Sequence, residues 1–183
     1  MYLEGLGFGS IGRILKISHG TIFNWVKKWG GEVELPVSDG PVEIVEPAFA
    51  GRQAWRDAHL CWLKKNYCWV WIAVDRFGKR HIDFLCGDRS TKTGRKLWEK
   101  IKNMKINGFC SDYWKSYCEF IPDHKHMQSK AETFTVEGYN SRIRHYLARF
   151  RRKTKCYSKA EHIIEKSLKL LMLKLNNSLP ILF

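Results

Sequence analysis

Residues 68–86 read CWVWIAVDRFGKRHIDFLC. Cys68–Val74 is the longest apolar run in the chain. Its Trp, Val and Ile content and its length match a buried strand, and it is far too short to span a bilayer. Asp75–Gly78, DRFG, reads as a turn, and Lys79–Cys86, KRHIDFLC, reads as the returning partner. The stretch therefore predicts a β-hairpin.

The pattern continues on both sides. Ser90 is placed to cap a helix over 91–104, with Leu97, Trp98, Ile101 and Met104 on one face. A short strand, INGFCS (106–111), ends at Asp112, and Trp114–Phe120 reads as one or two helical turns. A further helix starts near Val136. Val136, Asn140, Ile143 and Leu147 share one stripe, and Glu137, Ser141 and Arg144 the adjacent one. A last amphipathic helix covers about 158–176. Upstream, residues 31–50 carry Glu32, Glu34, Asp39, Glu43 and Glu46 with no Lys or Arg, and also Pro36, Pro41 and Pro47. This segment reads as a linker leading into a strand, Val42–Glu46, ended by Pro47. Strands alternating with helices predict an α/β fold; the order suits a mixed sheet covered by helices, as in the ribonuclease-H type, while pattern alone fixes only α/β. The expected domains are 1–30, a linker over 31–41, and 42–183.

Charge narrows the function. The chain has 32 Lys and Arg against 18 Asp and Glu, a formal charge of +14. Such an excess points to a polyanion, most often nucleic acid. The six cysteines are dispersed without C-x-x-C spacing, which argues against a zinc knuckle and for reduced thiols in the cytoplasm. No basic-then-apolar signal pattern opens the chain.

FGSIGRILKISHGTIFNWVKKW (8–29) has helix-turn-helix character. Ser10 is placed to cap a first helix whose buried side is Ile11, Ile14 and Leu15, and Gly12 permits close approach. Ser18 opens a second helix with Ile22, Trp25 and Val26 inside. His19, Thr21 and Asn24 then face outward where base edges are read, and Lys27 and Lys28 suit phosphates. Such units usually rest on an upstream helix, and Met1–Gly5 supplies only a remnant of one, which suggests an N-terminally shortened protein.

TFTVEGYNSRIRHYLARFRRKTKCYSK (133–159) holds one acid, Glu137, followed by eight Lys or Arg. Arg142, Arg149, Arg151, Arg152 and Lys153 form a basic cluster suited to DNA phosphates. Asp112 ends a strand, and Glu137 starts a helix after 24 intervening residues. Two readings stand. Asp112 caps a turn and Glu137 complements a helix dipole; or the two meet at a sheet edge and bind a divalent metal through hard oxygen ligands.

The motifs SIGRILKIS…TIFNW, WVWIAVDRFGKRHIDF (69–84), GDRSTKTGRKLW (87–98), CSDYWKSY (110–117) and 130–161 carry a resemblance to transposases of the insertion-sequence-one family, which are DDE enzymes. The resemblance implies a ribonuclease-H-like fold, Mg²⁺ as cofactor, and double-stranded DNA as partner: the terminal inverted repeats of the element and its target. It also implies a homo-oligomer on DNA, in the cytoplasm at the nucleoid and with no membrane. Asp112 and Glu137 match the second Asp and the Glu of the triad, as catalytic residues and metal ligands. Asn140, His145, Arg149 and Lys153 match positions that accompany the Glu. The first strand departs from the family. Family members end it in Asp-Glu, whereas this chain reads VEIVE (42–46) and then PAFAGRQAWRDAHLCWL (47–63), with the Asp position near Ala48. The cysteine-rich zinc segment of longer members is also missing. Glu46 is the expected, weaker catalytic substitute; Asp75 and Asp57 rank below it. Three functions follow: a transposase, impaired in this copy; a non-catalytic DNA-binding remnant; and a structure-selective nuclease.

Overall fold

The computed structural model describes residues 1–35, 43–48, 68–75, 80–104, 108–111, 113, 115–129, 134–151, 154, 156, 158 and 160–179. Over 43–48 and 134–137 only the backbone is described. The chain is mixed α/β. Its helices are α1 (Phe8–Leu15), α2 (His19–Glu32), α3 (Thr91–Ile101), α4 (Phe134–Tyr146) and α5 (Glu161–Leu175). Its strands are β1 (Glu43–Ala48), β2 (Trp69–Asp75), β3 (Arg80–Gly87), β4 (Phe109–Ser111) and β5 (His126–Gln128). Packing groups them into two units. A terminal unit holds Met1–Leu35, Gly51–Asn66 and Ser141–Phe183, and a central unit holds Pro36–Ala50 and Tyr67–Asn140. The sequence boundary of 42–183 differs from this grouping, because α5 packs on α2.

In the central unit β2 is the antiparallel partner of both β1 and β3, and β4 pairs with β5 in parallel. The strands thus form a three-stranded sheet in the order β1-β2-β3 and a two-stranded sheet of β4 and β5, with β4 packed near β1. The expected hairpin is present. Asp75 closes β2 opposite Arg80 rather than opening the turn, and is 6% exposed. Alternation along β2 feeds two faces. Trp71 and Ala73 join Ile82, Leu97, Ile101, Phe109 and Tyr117 in one core beneath α3. Val70, Ile72 and Val74 are buried on the other face, opposite Cys86, Phe84 and His81. There the His81 ring meets Tyr139 of α4, with centroids 4.3 Å apart. Trp71 keeps its indole N–H satisfied by donating to the Asp88 carbonyl at 2.9 Å. Ser90 caps α3 as expected, accepting from the Thr93 amide at 3.4 Å.

One strand expectation needs correction. β1 does not stop at Pro47; it continues to Ala48, with an irregular register between Ile44 and Pro47. Proline has no N–H to donate, and a strand absorbs it at a bulge or on an edge. The ladder of β1 runs to β2, while β4 pairs with β5. The three-residue β5 was not anticipated, being too short to carry an alternation signal.

In the terminal unit α1 and α2 are joined by three residues, with Lys16 in the left-handed region at φ 55°. Ser18 caps α2, accepting from the Thr21 amide at 3.1 Å. A Cβ on Gly12 would lie 2.8 Å from the Ile17 carbonyl, so the turn needs glycine there. Ser10 is not the cap of α1; Gly7 is, and Ser10 lies inside the helix, accepting from Arg13 at 3.3 Å. Ile11 is buried, but Ile14 and Leu15 are 56% and 45% exposed because the helix ends before α2 covers its last turn. The buried row of α2 is Ile22, Val26 and Gly30, spaced i, i+4 and i+8. Trp25 lies at the edge of that row, 38% exposed, and stacks on Trp29 at 5.7 Å.

A helix from the other end of the chain packs on α2. α5 buries Ile163, Leu168, Leu170, Leu171, Met172 and Leu173 and packs on α2. Lys166 Nζ donates to the Lys27 carbonyl at 2.9 Å, and Tyr2 donates to Ser167 Oγ at 2.6 Å. At the crossing, a Cβ on Gly30 would lie 2.6 Å from Lys166 Cβ and 2.9 Å from its carbonyl oxygen. Alanine in a helix gains about 1 kcal/mol over glycine. Overpacking costs about 1–3 kcal/mol, and here backbone atoms are in the way. Gly30→Ala is therefore expected to destabilise the protein by up to about 2 kcal/mol in urea denaturation. Gly138→Ala in α4, with nothing within 4 Å of the new methyl, should shift stability the opposite way. Equal shifts would show that the α2–α5 contact is loose.

Candidate nucleic-acid interface and carboxylate site

Helix α2 presents its polar edge outward. His19, Asn24, Lys27 and Lys28 are exposed, and Thr21 is half-buried with its hydroxyl 3.2 Å from Ser18 Oγ. The capped start fixes where these side chains leave the helix. The basic C-terminal cluster is more divided than its sequence suggests. Arg142 and Arg151 are exposed, and Arg151 donates to the His145 carbonyl at 3.2 Å. Arg152 and Lys153 lie outside the described residues. Arg149 sits with its guanidinium 4.8 Å from the centre of the Phe8 ring and 5.4 Å from that of Tyr2. Cation–π contact of this kind ties the residue to the fold. The rings give Arg149 partners that its assignment to DNA phosphates did not include. Burial pushes the Tyr2 hydroxyl above its ordinary pKa, opposed by the charge of Arg149 and hydrogen bonds to Ser167 and Arg149. Arg149, Tyr2, Phe8, Phe23 and Cys156 also line a cleft of about 390 Å³. Sequence periodicity carried no sign of it, because its walls come from both ends of the chain.

Cation placement also stabilises the first residues. Lys174 pairs with Glu4, donates to the Leu3 carbonyl at 2.9 Å and sits 4.2 Å from the centre of the Tyr146 ring. The hydrogen bond from Lys174 holds the Glu4 carboxyl below its ordinary pKa.

The expected carboxylates fall in the central unit. Asp112 lies outside the described residues, but it directly follows Ser111, the last residue of β4. Glu137 is in the first turns of α4 and Glu46 is within β1; their side chains lie outside the description. Tyr139, two residues after Glu137, is 4% exposed against His81, so the start of α4 is tied to β3. Ala48, near which the resemblance puts the family's first Asp, pairs with Val70. Glu43, at the other end of β1, pairs with Val74, so Asp75 lies at the strand end away from Ala48. Among the described residues no three His, Cys, Asp or Glu come together as a metal-holding group. The three acids under consideration stand outside that search. Their chemistry fits a hard divalent cation, which takes carboxylate oxygens.

Ser111 is fully buried, and its Oγ lies 2.7 Å from His126 Nε2. Desolvation lowers the His126 pKa from its ordinary value, and Asp123 partly offsets this. The sign follows from linkage. Between the depressed folded value and the ordinary one near 6.5, the unfolded chain binds more protons, so stability rises with pH. The β4–β5 pairing is fully supported above that window and loses support as pH falls through it. Urea midpoints measured from about pH 7.5 down to 5 should fall more steeply for the wild type than for His126→Gln. Parallel profiles would contradict this.

Helix α2 thus exposes a polar edge, Arg142 and Arg151 are exposed in and just after α4, and β1, the end of β4 and the start of α4 share one α/β unit. A family profile for IS1 transposase, a DDE-type family, matches residues 58–175, and the chain belongs to the IS1 transposase family. The match begins inside the unusual stretch 47–64; residues 1–57 lie outside it. The chain is 32% identical over 103 residues to the insertion element iso-IS1n protein InsB of Shigella dysenteriae, covering 56% of this chain and 79% of that protein. It is 28% identical over 103 residues to the insertion element IS1 4 protein InsB of Escherichia coli K12, covering 56% of this chain and 62% of that protein. It thus spans less than two thirds of the latter's length. Among the described residues no helix is long and apolar enough to cross a membrane.

Proposed function

We propose that this chain is a DNA transposase that cleaves and rejoins DNA at the terminal inverted repeats of its own insertion sequence, and that the copy is catalytically impaired. The family match over 58–175 carries the reading, because it includes both Asp112 and Glu137. The strand order and the helices on both sheet faces are consistent with a ribonuclease-H-like centre. In this reading α1–α2 is a helix-turn-helix: His19, Thr21 and Asn24 read base edges, and Lys27 and Lys28 hold phosphates. Arg142, Arg151, Arg152 and Lys153 add a sequence-independent grip, with Arg149 anchoring the segment to the fold. The protein acts as a homo-oligomer on DNA, in the cytoplasm at the nucleoid.

Asp112 and Glu137 would hold the divalent cation, Mg²⁺ in the family. When bound, the ion supplies charge neutralisation and alignment of attacking and leaving oxygens across a phosphodiester. Water and then a 3′-hydroxyl are the nucleophiles. Two adjacent carboxylates repel one another and raise each other's pKa unless a cation lies between them. With the first Asp position falling near Ala48, the first-strand carboxylate is either missing or supplied, as a weaker substitute, by Glu46 on β1. A site that has lost this ligand binds the ion weakly, so turnover is slow. The same observation supports a second reading: a DNA-binding remnant without catalysis.

On a duplex carrying the element's ends, Asp112→Asn and Glu137→Gln are each expected to reduce Mg²⁺-dependent nicking and strand transfer to background while leaving DNA affinity unchanged. Nicking that survives both substitutions would remove these acids from the mechanism. Wild-type binding without any nicking would select the remnant.

A further inference from the structure

We infer that the outer face of α3 is a second DNA-contact surface, taking the phosphate backbone of duplex DNA through Lys92, Arg95 and Lys96. The inference rests on the proposed function in one respect: the polyanion is DNA. It adds a surface in the central unit, whereas α1–α2 and the 142–153 segment belong to the terminal one.

Helix α3 buries Thr93, Gly94, Leu97 and Ile101. The opposite side exposes Lys92, Arg95, Lys96, Glu99 and Lys100. The nearby acids are occupied. Lys100 pairs with Asp83 at 3.2 Å, and Glu99, the helix's own acid, pairs with Lys102. Glu119 accepts from the Thr91 hydroxyl at 3.5 Å. Asp88 accepts from the Ser90 amide and hydroxyl and from the Thr93 hydroxyl, which holds its carboxyl below the ordinary pKa. The start of α3 therefore already has its anion, and the inference concerns the helix face. Among the described residues Lys92, Arg95 and Lys96 have no acidic partner.

That arrangement works against the isolated helix. Lys92 stands three residues from Arg95 and four from Lys96, the spacings at which like charges face each other and repel. A solvated helix places acids at such positions. An external polyanion removes the repulsion, and long flexible cations within one turn can meet successive phosphates along a strand. Arg89, just before α3, lies over the Trp69 ring at 5.1 Å and extends the positive edge. Among the described residues the exposed side chains of this face are charged, which suits phosphates rather than base edges, so its contribution is independent of sequence.

The test is fluorescence anisotropy of the full chain on a mixed-sequence duplex, with salt varied from about 50 to 200 mM. The triple variant Lys92→Ala, Arg95→Ala, Lys96→Ala is compared with the charge-preserving variant Lys92→Arg, Arg95→Lys, Lys96→Arg. Each lost phosphate contact reduces the slope of log affinity against log salt by about 0.9. The alanine variant should therefore show a slope shallower by about 2–3 with sequence preference intact, and the charge-preserving variant should match the wild type. If the wild type binds duplex and the alanine variant keeps its slope, this inference is overturned and the proposed function stands. Loss of slope in both variants would show a folding effect and also overturn it. A wild type that does not bind duplex overturns both.

Discussion

The contact between α2 and α5 is the constraint on which the α1–α2 pair depends. Helices α1 and α2 bury few large apolar side chains: Ile11, Ile22 and Val26. Two short helices with so little buried surface do not hold together in water. α5 brings a row of fully buried leucines, and Gly30 lets it approach until Lys166 touches the α2 backbone. Tyr2 and Lys174 then fasten the first residues to the same helix. The outward edge of α2 is rigid because the opposite edge is packed.

The central unit solves a different problem. It must hold β1, β4 and the start of α4 together in a chain with a large positive excess. Apolar packing on both faces of β2 gives a firm base. The His81–Tyr139 contact ties the start of α4 to β3, and β4 runs beside β1. Backbone alone thus brings the end of β4, β1 and the helix carrying Glu137 into one compact unit.

Much of this was legible locally. The run Cys68–Val74 announced β2, and the Ser18 and Ser90 caps marked two helix starts through a preference that acts over three residues. The mixed α/β class followed from element order. What escaped was non-local. Nothing in 161–175 says that it braces α2, because the contact joins residues 136 positions apart, Gly30 and Lys166. Ile14, Leu15 and Trp25 look like core by composition, and only the short length of α1 and the direction of α5 leave them exposed. Pro47 reads as a strand end by propensity, yet β1 passes through it. The acids at 112 and 137 were found by family resemblance, since two carboxylates 25 positions apart are weak evidence by spacing.

The central claim is that the first-strand carboxylate is the missing part of an otherwise family-like site. The most direct measurement is the Mg²⁺-dependent nicking rate on a duplex carrying the element's ends, compared between wild type and Ala48→Asp at equal DNA occupancy. The account predicts a slow or undetectable wild-type rate and a rise of at least about tenfold in the variant, as a lost anionic ligand to the metal is restored. A wild type that nicks rapidly and gains nothing from the added Asp would contradict it.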